Sequence, residues 1–240
     1  MKANELEQAL EEEILKILGE QTTEFSNYEQ VQNYAIQLAK AMTRAVSKNA
    51  DEILINSFGT LDYDFTNEVF TKLFKSDYDL LTKACKQAQT ALNEANKINI
   101  KAILPTFDDD RAHSIIWEIV NKTLDEFRDD FPSLSENFLL SIVDDSVKEN
   151  ADFQYKSGQN PMVIRKADPK CCKWCSSLEG TYLYEDVKDK GNAVFKRHQN
   201  CRCSVTYVPK QGKKRDVWQR TEKRADVIQT YLETMKAIKR

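Results

Sequence analysis

Two short runs of cysteine and histidine near the end of this chain constrain its folding more than any other feature. The first is Cys171-Cys172-Lys173-Trp174-Cys175 and the second is His198-Gln199-Asn200-Cys201-Arg202-Cys203. A Cys-x-x-Cys pair followed by a His-x-x-Cys pair offers four soft or borderline ligands. Each pair sits on a tight turn that can aim both side chains at one ion. Whatever else the chain does, it must bring these two loops together.

The ligand set read from the spacing is Cys172, Cys175, His198 and Cys201. Cys203 can replace Cys201, and Cys171 can replace Cys172; the spacing leaves both substitutions open. Four protein ligands leave no open coordination position, so the expected metal is a structural Zn2+ rather than a catalytic one. A small β-rich unit has little core of its own, and metal binding would supply the missing folding free energy. Two other readings compete. A thioredoxin-like redox pair at Cys172 and Cys175 should open a long helix in a βαβ setting, but Gly180 and a strand-like stretch follow here. Core or disulfide-bonded cysteines fit the paired spacing less well. The N-terminus also has no apolar signal-peptide core, which points to a reducing compartment.

Elsewhere the sequence reads as helix. Only 6 Gly and 5 Pro punctuate 240 residues, and these are the main breakers. A first helix is expected through Leu6, Leu10, Ile14, Leu15 and Leu18. A second, from about Asn27, carries Val31, Ala35, Leu38, Ala39, Met42 and Val46 on one stripe. The stretch around Leu61 to Phe65 reads as a break, with Thr66 or Asn67 capping a further helix through Phe70, Leu73 and Phe74. From Asp77 to Asn96 the Ala- and Gln-rich composition favours helix. Leu104-Pro105-Thr106 marks a boundary. Asp108, Asp109 and Asp110 then sit in the first turn of a helix running through Ile115, Ile116, Ile119 and Leu124. Ser133 or Ser135 begins the next, through Phe138, Leu139, Ile142 and Val143 to about Tyr155.

The pattern changes at the Ser157–Pro161 loop. Met162 to Arg165, Thr181 to Tyr184 and Ser204 to Val208 read as short strands, and a last helix is expected over 218–239. The fold class expected is mainly α: a helical N-terminal body, a small zinc-bound α+β C-terminal unit and a final helix. The corresponding divisions are 1–156, 157–212 and 213–240. No run of the sequence is apolar enough to span a membrane.

Charge divides the same way. Residues 1–150 carry 15 Lys and Arg against 28 Asp and Glu, whereas residues 151–240 carry 20 against 10. A basic stretch at Lys210, Lys213, Lys214 and Arg215 could neutralise phosphates, dock on an acidic protein surface, or form a solvated linker.

With Cys-x-x-Cys, Leu-x-Gly and His-x-Asn-Cys-Arg-Cys in order, the segment 160–208 resembles the C-terminal zinc-containing domain of phage minor head proteins, the phage Mu F-like head-morphogenesis family. The matching residues are Asp168, Cys172, Cys175, Leu178, Gly180, His198, Asn200, Cys201, Arg202 and Cys203. Gln199 stands where the family usually has proline. The resemblance implies a non-enzymatic protein of a virion or prophage. Such a protein joins the head near the portal, in contact with portal and capsid proteins, and is found in the virion or in the host cytoplasm during assembly. DNA is a possible further partner; a membrane and a small-molecule substrate are not expected. The reading from a different class is a nucleic-acid-binding zinc module, and a third is an intracellular toxin or nuclease.

Other chemistry finds little support. His113 is a lone helical histidine, Cys85 reads as a buried small apolar residue, and the Asp108–Asp110 and Asp144-Asp145 acids read as solvated helix positions. There is no phosphate-cradling Gly loop, no Gly-x-Ser-x-Gly and no His-Glu-x-x-His.

Overall fold

The computed structural model describes residues 5, 8–9, 11–13, 15–16, 24–48, 60–189, 192–198 and 200–209. Four main helices come first: α1 Tyr28–Lys48, α2 Tyr63–Ala95, α3 Asp109–Val120 and α4 Leu124–Lys156. They are followed by β1 Met162–Lys166, the short α5 Lys173–Ser177, β2 Gly180–Leu183, the short α6 Tyr184–Val187 and β3 Ser204–Val208. The chain is therefore mainly α with a small α+β unit. Most of the first expected helix, the whole of 218–239 and the basic run from Lys210 to Arg215 lie outside the described residues. Among the described residues, no helix is long and apolar enough to cross a membrane.

The stripe predicted for α1 is the buried one: Val31, Ala35, Leu38, Ala39, Met42 and Val46 are all inside. Apolar residues three and four apart share a helix face, and this face packs against α4 and α2. The start of α2 differs from expectation. Its N-cap is Asp62, whose carboxylate accepts the Phe65 N–H at 2.9 Å. Thr66 instead turns its hydroxyl back onto the Asp62 carbonyl at 2.5 Å. From there α2 runs as one helix of 33 residues, through Asp77, to Ala95.

The next boundary also moves. The helix begun by Asp108 stops at Val120, so Leu124 does not belong to it. Leu124 opens α4, which starts well before Ser133. A capping box sets this start: the Thr123 hydroxyl accepts the Glu126 N–H, and the Glu126 carboxylate accepts the Thr123 N–H at 2.9 Å. Pro132 lies inside α4. The cooperative capping and the aromatic packing around it outweigh the one hydrogen bond that proline forfeits. That packing is dense. The Phe70 ring centroid lies 5.1 Å from Phe131 and 6.1 Å from Phe127, and Phe74 lies 4.4 Å from Phe138.

The sheet is antiparallel with order β2-β1-β3. Tyr184 belongs to α6 rather than to β2. In β1 and β3 alternate residues point inward, and the register pairs Val163 with Tyr207 and Arg165 with Val205. Val163, Val205 and Tyr207 join the same buried cluster as α1, α2 and α4. Polar groups fix the fit. The Tyr207 hydroxyl accepts from the amides of Gln89 and, at 3.2 Å, Gln154. Gln89 accepts from the Tyr28 hydroxyl at 2.8 Å, and the Gln32 amide donates to the Val205 carbonyl at 3.2 Å. Buried polar groups left unpaired cost about 1–3 kcal/mol each, so these contacts specify one seating of the sheet. The sheet thus borrows its core from the helices.

Thr123→Ala removes the cap from the true start of α4 and is expected to lower stability by about 1 kcal/mol. Urea denaturation of the single variant measures this; an unchanged midpoint would mean that the box does not set the helix start.

Candidate metal centre

The far end of the sheet, beyond the core, carries the cysteines. Cys172 is the N-cap of α5, with extended backbone, and its sulfur accepts the Cys175 N–H at 3.5 Å. Three residues on, Cys175 is buried in the first turn of that helix. The second loop folds back over this turn. Asn200 has φ 60°, in the left-handed region that asparagine tolerates better than most residues. That turn lets the Cys201 N–H reach the His198 carbonyl at 3.1 Å and brings the His198 ring and the Cys201 thiol to the same side.

Two groups of donors result, and Cys175 belongs to both. Cys172, Cys175 and His198 have their ligand atoms mutually within 4.8 Å, and so do Cys175, Cys201 and Cys203. Individual separations are 3.0 Å from Cys175 Sγ to His198 Nε2, 3.3 Å from Cys172 Sγ to His198 Nε2, and 3.6 Å between Cys175 Sγ and Cys201 Sγ. A tetrahedral ion with metal–sulfur and metal–nitrogen bonds of ordinary length places its ligand atoms about 3.6–3.8 Å apart. The observed edges approach these values, and all six cysteines of the chain are unpaired thiols. The cluster could therefore hold a metal ion. Cys171 packs against the buried cysteines but is only half-buried itself.

Cations surround the sulfurs. Arg165, on β1, is 1% exposed. Its Nη1 donates to the Val194 carbonyl, and its Nη2 faces Cys175 Sγ at 3.7 Å and Cys201 Sγ at 3.8 Å. Among the described residues no carboxylate lies within ion-pair distance of it. A buried guanidinium without an opposite charge is strongly unfavourable, and thiolates held by a metal ion would supply that charge beside it. That chemistry is what a thiolate metal site provides.

Arg197 organises the second loop. It makes a bidentate pair with Asp144 of α4, at 2.5 and 2.8 Å, and donates to the carbonyls of Cys201 and Cys203 at 3.1 and 2.9 Å. Burial pushes the Asp144 carboxyl up, and the Arg197 guanidinium opposes that shift. Nearby, Arg202 pairs with Glu136 at 2.6 and 2.9 Å, Asn137 donates to the His198 carbonyl at 3.1 Å, and Ser133 accepts the Asn200 N–H at 3.0 Å. One face of α4 thus holds the whole ligand loop.

The thiols differ without metal. The N–H groups of Cys175 and Trp174 pull Cys172 down. Burial and the neighbouring Cys203 and Cys201 thiols push Cys175 up to about 12. For Cys201, burial alone would raise it, but the Cys203 N–H, Arg197 and Arg165 bring it below the ordinary value. A cleft of 580 Å³ bordered by Cys171, Cys172, His198 and Arg202 gives an ion access from solvent.

The structure thus brings Cys172, Cys175 and His198 together, and sets Cys201 in a second group with Cys175 and Cys203. It also shows what the sequence reading missed. Asp144, taken as a solvated acid, is a buried ion-pair partner, and Arg165 and Arg197 were not singled out. A signal existed for Arg197, which directly precedes the histidine ligand; none existed for Arg165, a cation in an apolar strand. His113 is exposed and Cys85 is buried, as expected. Asp108 serves as an N-cap, accepting the Arg111 N–H at 2.9 Å.

Comparison with known proteins gives no match: no family model, no curated protein and no solved structure matches this chain.

Asp144→Ala strands the Arg197 guanidinium, whose side chain is 6% exposed against 4% for Asp144. Removing one partner of such a pair is expected to lower stability by about 3–5 kcal/mol. Chemical denaturation reads it, and a loss below about 1 kcal/mol would mean that the pair does not anchor the loop.

Proposed function

We propose that this chain is a non-enzymatic assembly protein of the phage minor head class, in which zinc pins a two-loop unit onto a helical body. The observation that carries the metal part is the buried Arg165 facing two cysteine sulfurs, with no carboxylate partner among the described residues. Cys172, Cys175, His198 and Cys201 would hold the ion. Zinc bound there supplies a cross-link and a charge for the thiolates, without redox chemistry. The residues around it position the ligands: Arg197 fixes the loop backbone, and Glu136 and Asp144 anchor it on α4.

Support for the head-assembly part comes from the motif resemblance of 160–208 and from the form of the molecule. A metal-stapled loop unit beside an acidic helical surface suits binding by shape and charge rather than catalysis. The partners proposed are the portal and capsid proteins of the same phage or prophage, and the place is the virion or the cytoplasm of the host during assembly. A second reading, favoured by the excess of cations in residues 151–240, is a zinc module that grips nucleic-acid phosphates.

Zinc is expected to remain with tag-free, reduced protein through gel filtration. It should be lost in Cys175→Ser, which removes the donor common to both groups; elemental mass spectrometry measures this. Circular dichroism of that variant should keep most of its helical signal, because α1, α2 and α4 pack largely on one another. Co-expression with portal and major capsid protein should place the chain in assembled particles; consistent absence from particles would remove the head-protein reading. Salt-dependent binding to duplex DNA, with none to portal or capsid, would favour the second reading.

A further inference from the structure

Four acids are buried among the described residues, and three of them meet cations. Glu13 has Lys16 and Arg44, at 3.1 and 3.2 Å, and Lys48; Glu136 has Arg202, and Asp144 has Arg197. The fourth, Asp77, lies in the middle of α2. It is 0% exposed, and neither of its carboxyl oxygens has a hydrogen-bond partner.

The surroundings of Asp77 are apolar. Leu73, Phe74 and Leu81, three or four positions away on the same face of α2, are buried with it. Phe74 in turn stacks on Phe138 of α4. From α1 the titratable group that senses Asp77 is Tyr34: burial and Asp77 together push that phenol up to about 12. Tyr34 is itself buried, with its ring 5.1 Å from that of Phe25. Among the described residues, no charged group of α1, α2, α3 or α4 offsets the burial of Asp77.

We propose that Asp77 is held as the neutral acid at the seam of α1 and α2, and that its ionisation loosens this seam as pH rises. The proposal does not rest on the metal reading. A carboxylate stripped of water, with no cation and no donor, is far less favourable than the neutral acid. Burial accordingly pushes the Asp77 carboxyl well above the usual carboxylate range. At neutral pH the unfolded chain carries no proton there, so folding takes one up. Stability is then greatest below the ordinary aspartate range and falls as pH climbs towards the native value. Tyr34 stays neutral throughout this window and supplies no compensating charge. The helical body is therefore tightest in mildly acidic solution.

Urea denaturation of the full-length protein beside Asp77→Asn, between about pH 5 and about pH 8, tests this. The amide cannot ionise. The unfolding constant of the unaltered protein should therefore rise, relative to that of the variant, about tenfold for each pH unit until the carboxyl ionises in the folded state. Hydrogen exchange compared at one pH locates the effect. At the alkaline end the amides of α1 should exchange faster in the unaltered protein than in Asp77→Asn, and the gap should narrow towards the acidic end. A ratio that stays constant with pH would overturn the held proton. A rising ratio with identical α1 exchange in the two proteins would overturn its assignment to this seam. Carbon-13 NMR of the aspartate-labelled, unaltered protein gives a readout independent of the variant. The Asp77 carboxyl signal should keep its protonated position at neutral pH; titration in the ordinary aspartate range would overturn the proposal.

Discussion

The bidentate contact between Arg197 and Asp144 is the interaction on which the geometry of the metal centre depends. It is buried on both sides and joins a loop to the middle of α4. Its guanidinium also holds the carbonyls of Cys201 and Cys203. One side chain therefore sets the position of the loop and the path of the backbone that presents two thiols. A charged fork suits this task because it engages a carboxylate and carbonyls at once in fixed directions. Ser133, Glu136 and Asn137, roughly two to three turns earlier on α4, add further contacts to the same loop. The helix thus acts as a rail of anchoring groups for ligands that come from elsewhere in the chain.

The inner face of the sheet changes character along its length. At one end Val163 and Tyr207 pair and enter the helical core. One step along, Arg165 pairs with Val205 and reaches the sulfurs. Strand alternation keeps Val163 and Arg165 on the same side, so a single five-residue strand connects apolar burial to ligand electrostatics. The Val194 carbonyl, the Trp174 ring and the two sulfurs receive the arginine at the end of that strand.

Much of this was legible in the sequence, and the rest was hidden for physical reasons. The buried stripe of α1, the three strands and the approach of the two cysteine loops follow from periodicity and ligand spacing, which are local signals. Helix starts were less legible. Ser133 or Ser135 was expected to open the last long helix, whereas the Thr123–Glu126 box opens it at Leu124 and the helix runs on through Pro132. Asp144 and Arg165 were invisible as site residues for a different reason. Their roles depend on partners 53 and 10 or more residues away, and no spacing rule reports such meetings.

The last described strand, β3, is also the one that seats deepest between α1 and α4. In the finished fold the amides of Gln32, Gln89 and Gln154, from three different helices, serve Val205 and Tyr207. On a ribosome the helices emerge first. The helices can pack on one another before β3 is made, but the polar contacts that seat the sheet close only when the last described strand, made after both cysteine loops, reaches them.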